Sequence, residues 1–374
     1  MSVGFRCWII LSLAASALTA SAQSPAPRPM RSPPKTREQV IAEAVAYLKK
    51  SQADDGTWSR ANHIGITGVV TTGLLRSGVS PDDAQVAKSL ALIESMKHDE
   101  SGNLANDEKL FQKNYVTSVH LNALNAAKRE RDRPLIEGAV KYLKGAQVDE
   151  GEEKSKDDLD YGGFGYQPGT RSDLSNTHFA LDALYQAGVP STDPVFQKAA
   201  VFVSRTQNLA SPHNQQPWAE KINDGSFVYV LAAGRGATTA TDAPRPGYGS
   251  MTYSGLKCLT HAGLTYTDPR VAAGMKWLAK NYSVDVNPGR QAGGGGEGYY
   301  YYLMVMAKSL SYLKVDEFVD SDGKKHDWRA DITRALTNRQ QADGSWVNSL
   351  RNWQETNVDL CTGYALITLS YTAK

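Results

Sequence analysis

The sequence predicts an all-α fold built from six helical hairpins, and three observations carry that prediction. A threonine-led pattern recurs: Thr177, Leu181, Leu184 and Gly188 reappear as Thr252, Leu256, Leu259 and Gly263. A second pattern, Leu48, Gln52, Gly56 and Trp58, returns as Leu336, Gln340, Gly344 and Trp346. The two alternate along the chain, the second preceding the first in each of six pairs, which gives twelve helices.

The threonine pattern places residues four and seven apart on one helix face, and its glycine suits a left-handed C-cap. Thr67, Thr71, Leu74 and Gly78 repeat it with one polar replacement. Thr117, Leu121 and Leu124 match its first three positions, as do Thr362, Leu366 and Leu369. The weakest copy is Leu303 to Leu310, where leucine replaces threonine. Partial copies of the second pattern are Tyr142-Leu143 with Gln147 and Gly151, Phe202 with Gln207, and Trp277-Leu278. Near Leu92 to Lys97 only the apolar spacing is kept. The glutamine is expected to satisfy backbone groups at the end of an outer helix. Trp58 and Trp346 are expected to cover the exit turn on the outside of the fold.

The first residues predict secretion or export to a periplasm. Arg6 and the amino terminus give a positive start, Trp8 to Leu18 is apolar, and Ala20-Ser21-Ala22 fits a cleavage site before Gln23. Residues 1–22 thus read as a signal peptide and 23–35 as a proline-rich linker to a repeat domain over 36–374. The apolar run is too short to span a bilayer, and no other stretch is long enough. With 41 Lys+Arg against 39 Asp+Glu, the charge balance does not favour nucleic acid. After cleavage two cysteines remain, Cys258 and Cys361, which excludes a small disulfide scaffold.

The run aromatic-Leu-x3-Gln-x3-Gly-x-Trp resembles the QW motif of the squalene and oxidosqualene cyclases, within the prenyltransferase/squalene oxidase repeat family. Tyr161-Gly-Gly-Phe-Gly-Tyr166 followed by Asp173-Leu-Ser-Asn-Thr177 resembles the stretch leading into their acid motif. The likeness covers nearly all of residues 36–374 and implies an α/α6 toroid, two concentric rings of helices around a central cavity. An open solenoid of the same hairpins is the alternative that repeat period alone leaves standing.

The resemblance also implies where chemistry would sit, at the inner-helix starts around one mouth of the ring. Family cyclases protonate an alkene through Asp-x-Asp-Asp; here Ser175 and Asn176 replace two of the three acids, leaving Asp173, which reads as an N-cap or mouth residue. Proton-initiated cyclisation is therefore not expected. Asp157, Asp158 and Asp160 read as a solvated charge run. Asp359 and Cys361 resemble part of the prenyltransferase zinc site, but no histidine falls in register, although His63 and His120 are within the range of cavity-facing positions. A buried unligated Cys361 is expected, with no metal or other cofactor. The glycine-rich run from Gly293 to Gly298 lacks the residues of a thioester, and Glu297 within it reads as a capping residue. One or two of Tyr299 to Tyr302 are expected at the cavity. Catalytic candidates are Asp173, His178, Glu297 and Glu355; ligand-binding candidates are Asn176, Tyr253, Tyr301, Tyr302, Trp353 and Asp359. His98, His213 and His326 are expected in solvent.

Three readings follow. The leading one is a ring that binds an apolar, isoprenoid-like molecule in its cavity; an aromatic-lined tunnel would favour it. The second is an enzyme acting on an extracellular polysaccharide, favoured by an open acidic and aromatic cleft. The third is an interaction or structural ring without catalysis, favoured by a centre filled with side chains.

Overall fold

The computed structural model describes residues 35–59, 64–98, 100–105, 110–231, 245–290 and 296–373. The expected signal peptide and nearly all of the linker lie outside these, as does His63. Among the described residues, an outer set of helices alternates with an inner set. The outer helices are α1 (Arg37–Ser51), α3 (Ala84–Ser95), α5 (Arg133–Gly145), α7 (Pro194–Arg205), α10 (Pro269–Lys280) and α12 (Trp328–Arg339). The inner helices are α2 (Ile64–Arg76), α4 (Lys113–Ala127), α6 (Leu174–Gln186), α9 (Gly249–His261), α11 (Tyr299–Tyr312) and α13 (Val358–Ser370). One short turn, α8 (Ala219–Ile222), and a β pair, β1 (Phe318–Val319) with β2 (Lys325–His326), sit in the loops.

Side-chain caps start five of the six outer helices. Thr36 and Gln39 form a reciprocal capping box on α1, while Asp83, Asp193, Asp268 and Asp327 cap α3, α7, α10 and α12. Pro194 and Pro269 follow two of those caps, where the missing N–H costs nothing. Outer helices bury one stripe, such as Val40, Ala44 and Leu48 of α1. Inner helices are buried all round, as Tyr299 through Leu310 of α11 are.

The repeated residues prove to be the joints between rings. Each repeat threonine accepts the backbone N–H of the residue in the tryptophan slot: Trp58 to Thr67, Leu104 to Thr117, Phe164 to Thr177, Phe227 to Thr252 and Trp346 to Thr362. The glutamine does more than close its own helix. Gln52 Nε2 donates to Gly56 O at 3.1 Å and also to Gln85 O, in the first turn of the next outer helix, at 2.9 Å. Gln147 does the same to Gly162 and Val195, and Gln207 to Gly225 and Arg270. The motif glycine of the third repeat is thus Gly162, not Gly151, because the charged loop between them is an insertion. The motif glycines have positive φ (87° at Gly56, 91° at Gly344), and a Cβ on Gly344 would stand 2.5 Å from Glu43 O of the next outer helix.

The last staple closes the ring. Gln340 Nε2 donates to Gly344 O and, across the seam, to Val40 O of α1 at 2.8 Å. Arg37 of α1 donates to Leu369 O of α13 at 2.7 Å. The inner helices pack each on the next, and α13 packs on α2, where a Cβ on Gly73 would stand 3.0 Å from the Gly363 carbonyl oxygen. The chain is an α/α toroid. Trp58 and Trp346 are fully buried between the rings, their indoles donating to Leu48 O and Leu336 O, so the expected place on the outside is corrected.

Candidate functional site at the ring mouth

The inner helices present three levels of side chains to the ring axis. At the level nearest the helix N-termini, residues two before the repeat position (Gly65, Tyr115, Ser175, Tyr301 and Leu360) line a cleft of about 120 Å³. Ile66, Asn176, Phe179, Tyr364, Gln112, Tyr166, Trp353 and Gln354 complete it. Trp353 is stacked on Tyr301, centroids 5.5 Å apart at 16°, and Tyr229 meets its edge. Trp353 and Gln354 both hold a left-handed backbone, φ 65° and 60°, which is strained for an indole-bearing residue. Below the cleft, Tyr301 Oη bonds His178 Nε2 at 2.6 Å and Ser175 Oγ at 3.2 Å. Burial holds His178 well below the usual histidine range, so it is neutral.

The middle and lower levels are filled. Five residues beyond the repeat position stand Asp182 of α6, Lys257 of α9 and Lys308 of α11, all buried. Lys308 Nζ bonds Asp182 Oδ2, while Lys257 Nζ lies 3.3 Å from Oδ1 at ion-pair distance without hydrogen-bond alignment. Burial would raise the Asp182 carboxyl, but Lys257 and Lys308 outweigh it and hold the group well below the carboxylate range. Nine beyond the repeat position come Arg76, Gln186, His261, Tyr312 and Tyr371: Tyr312 bonds Gln186 and Tyr371, and Arg76 lies over the Tyr371 ring. The ring axis below the mouth is a polar plug, and sequence reasoning missed it.

The mouth is ringed by helix N-termini, and five of the six inner helices already have a first-turn N–H occupied. Asp173 Oδ1 caps α6 through Asn176 N at 2.7 Å, Glu355 Oε1 caps α11 through Tyr301 N at 2.8 Å, and Asn357 caps α13. Asn287 takes Ser250 N of α9, and Tyr166 O takes Asn114 N of α4. Burial pushes Asp173 up to about 6 and Glu355 up to about 7.

The candidates divide accordingly. Asn176, Tyr301 and Trp353 line the cleft; His178, Asp173 and Glu355 lie behind it as partners of lining groups. Tyr253 and Tyr302 are fully buried, pack on each other 5.9 Å apart, and do not line it. Glu297 does not cap α11; it pairs with Arg290 and Asn352, and Glu355 takes the capping place. Asp359 accepts from Ser51 and Ser59, while Cys361 Sγ bonds Glu355 O, so the two share no ligand geometry. His120 is buried between Leu104 O and Ile64 O, away from the cleft. Of the three histidines expected in solvent, His213 is exposed and His98 half-buried, but His326 is held between Asp320 and Asp331.

No family model matches the chain, and no curated protein sequence is similar to it. Solved structures share its fold. A variant of the type II terpene cyclase MstE from Scytonema, in complex with merosterolic acid A, superposes with a TM-score of 0.55 at 15% identity, covering 90% of this chain and 96% of its own. Candida albicans protein geranylgeranyltransferase-I complexed with GGPP gives 0.56 at 14%, covering 88% and 90%. An inactive variant of the α-1,6-mannanase GH76A of Salegentibacter sp. HEL1_6, in complex with α-1,6-mannotriose, gives 0.56 at 11%, covering 90% and 98%. At these identities the likeness is one of fold, shared equally by proteins of isoprenoids and of polysaccharides.

Proposed function

We propose that this protein is a secreted binding ring that seats one hydroxyl-rich unit of an extracellular carbohydrate at its N-terminal mouth. The observation that carries the reading is the cleft itself: about 120 Å³, walled by Tyr115, Tyr166, Phe179, Tyr301, Trp353 and Tyr364, with Gln112, Ser175, Asn176 and Gln354 between them. Aromatic faces take the C–H face of a sugar ring, and interleaved amides and hydroxyls take its hydroxyl groups. The volume falls below the roughly 300–1,000 Å³ of pockets that enclose extended small molecules. An isoprenoid chain would need the axis, which holds Asp182, Lys257 and Lys308; burying hydrocarbon against them gains nothing and strips charge of its partners. No catalytic step is assigned: both oxygens of Asp173 accept from Asn176, and those of Glu355 from Tyr301 and Asn348. The apolar leader before Gln23 supports export, and mass spectrometry of the mature chain tests it.

The test is titration of the full mature chain with α-1,6-mannotriose, cellotriose, chitotriose and trigalacturonate, followed by calorimetry and tryptophan fluorescence. Saturable binding of a neutral trimer, lost in Trp353→Ala at an unchanged melting temperature, is expected. Saturable binding of geranylgeraniol with none of the sugars would overturn the reading.

A further inference from the structure

The geometry points to Asn176 as the residue that selects the ligand at the mouth: its Oδ1 accepts a hydroxyl proton from a neutral sugar, and Asp173 is the positioning residue that aims it. This rests on the carbohydrate reading of the cleft. Asn176 lines the cleft, is 3% exposed, and its side-chain oxygen has no hydrogen-bond partner. A buried acceptor left unmade is costly, which marks it as a place where a ligand donor is missing. The direction of the amide is fixed. Asn176 Nδ2 donates to Asp173 Oδ2 at 2.7 Å, and Asp173 Oδ1 simultaneously takes Asn176 N at 2.7 Å. An ionised carboxylate accepts only, so the NH₂ group must face it and the carbonyl oxygen must face away.

The ligand class follows from the same atoms. A ring of helix N-termini ordinarily suits an anion. Here Asp173, Glu355, Asn357 and Asn287 each occupy a first-turn N–H, so a carboxylate or phosphate would meet an acceptor with the Asp173 carboxylate behind it. A hydroxyl group brings the donor that Asn176 lacks. The oxygen is fully covered in the free protein, so binding is expected to shift the strained Trp353–Gln354 segment beside it.

The experiment is a pair swap, read by calorimetry on the neutral trimer that the wild-type protein binds best among α-1,6-mannotriose, cellotriose and chitotriose. Asn176→Ala removes the acceptor and should weaken binding about tenfold. Asp173→Asn keeps a good helix cap but lets the Asn176 amide turn, and should weaken binding similarly. The swap D173N/N176D keeps the cap and returns an acceptor oxygen to the cleft, so it should bind within about threefold of wild type, which a purely structural role of Asp173 would not produce. Trigalacturonate should bind none of these proteins. If the trimer binds and the two single variants match wild type, or the folded swap stays as weak as they are, Asn176 is not the selector while the mouth reading stands. Binding of no trimer by wild type overturns both, and tighter binding of trigalacturonate than of any neutral trimer overturns the inference alone.

Discussion

The polar plug makes a quantitative prediction that separates electrostatic need from mere packing. Among the described residues Asp182 is the sole carboxylate within ion-pair distance of Lys257 and Lys308, and all three are buried on inner helices. At an effective dielectric constant of about 20, each such contact attracts by roughly 5 kcal/mol before desolvation is charged against it. Asp182→Ala leaves two buried ammonium groups facing each other, for which loss of the partner costs about 3–5 kcal/mol. Over about 340 residues from Lys35 to Lys374 the unfolding entropy is roughly 0.7 kcal/mol per degree, so the melting temperature should fall by about 4–7 °C. The triple variant D182L/K257M/K308M replaces the whole group with apolar side chains of similar volume and should recover wild-type stability or exceed it. Calorimetric melts of the three proteins at neutral pH decide it. A wild-type melt for Asp182→Ala, or a triple variant as weak as the single one, would refute the argument.

Three further outcomes are expected. Gln340→Leu removes two hydrogen bonds, leaving the buried Gly344 carbonyl without its side-chain donor and the Val40 carbonyl with its helical partner alone, which costs about 2 kcal/mol and about 3 °C, the same as Gln147→Leu at an internal joint; a harmless Gln340→Leu beside a costly Gln147→Leu would mean that the seam is open in solution. Glu355, raised to about 7 by burial, binds a proton in the folded state that the unfolded chain releases near 4.5, so this group stabilises as pH falls from 7 towards 4.5 and costs stability above 7. Glu355→Gln should therefore improve relative to wild type as pH rises from 5 to 8, by on the order of 3 kcal/mol, and a pH-independent difference in melting would count against a buried titrating acid. Squalene should give no cyclic product with wild type or with S175D/N176D, because Tyr301 and Asp173 hold those positions and the cleft is small; a proton-initiated product from either would sink that expectation.

The fold was legible because its joints are made by residue types with few substitutes. Gln147 and Gln207 reach two carbonyls at once, and the motif glycine has both a left-handed backbone and a neighbouring carbonyl against it. Such constraints leave a readable spacing, and hairpin count and closure followed from it and from the resemblance. Spacing alone assigns Gly151 to the third repeat because an inserted charged loop separates Gln147 from Gly162, and spacing arguments fail across insertions. Asp173 as a cap and Cys361 as a buried thiol were readable from local pattern. Glu355 capping a different helix, and Asn176 aimed by Asp173, depend on tertiary placement that no local pattern encodes.

The plug was missed for a different reason, and its signal was present. Asp182, Lys257 and Lys308 each stand five residues beyond the repeat position of three successive inner helices, where the other three carry Thr72, Asn122 and Ile367. Read singly, each is one charge in an apolar helix; read down the register, they are three charges converging on one axis. The same register locates the mouth two residues before the repeat position and the lower polar level nine beyond it. In a closed ring the positions between layers are fixed by the joints, whereas axis-facing positions are fixed only by what must fill or line the hole. Fold information therefore concentrates at the repeat threonine, glutamine and glycine, and functional information at offsets from them. A charge-filled axis with an aromatic mouth then argues for a ring that meets its ligand at the surface, which is why the swap at Asp173 and Asn176 tests function where the staples test only architecture.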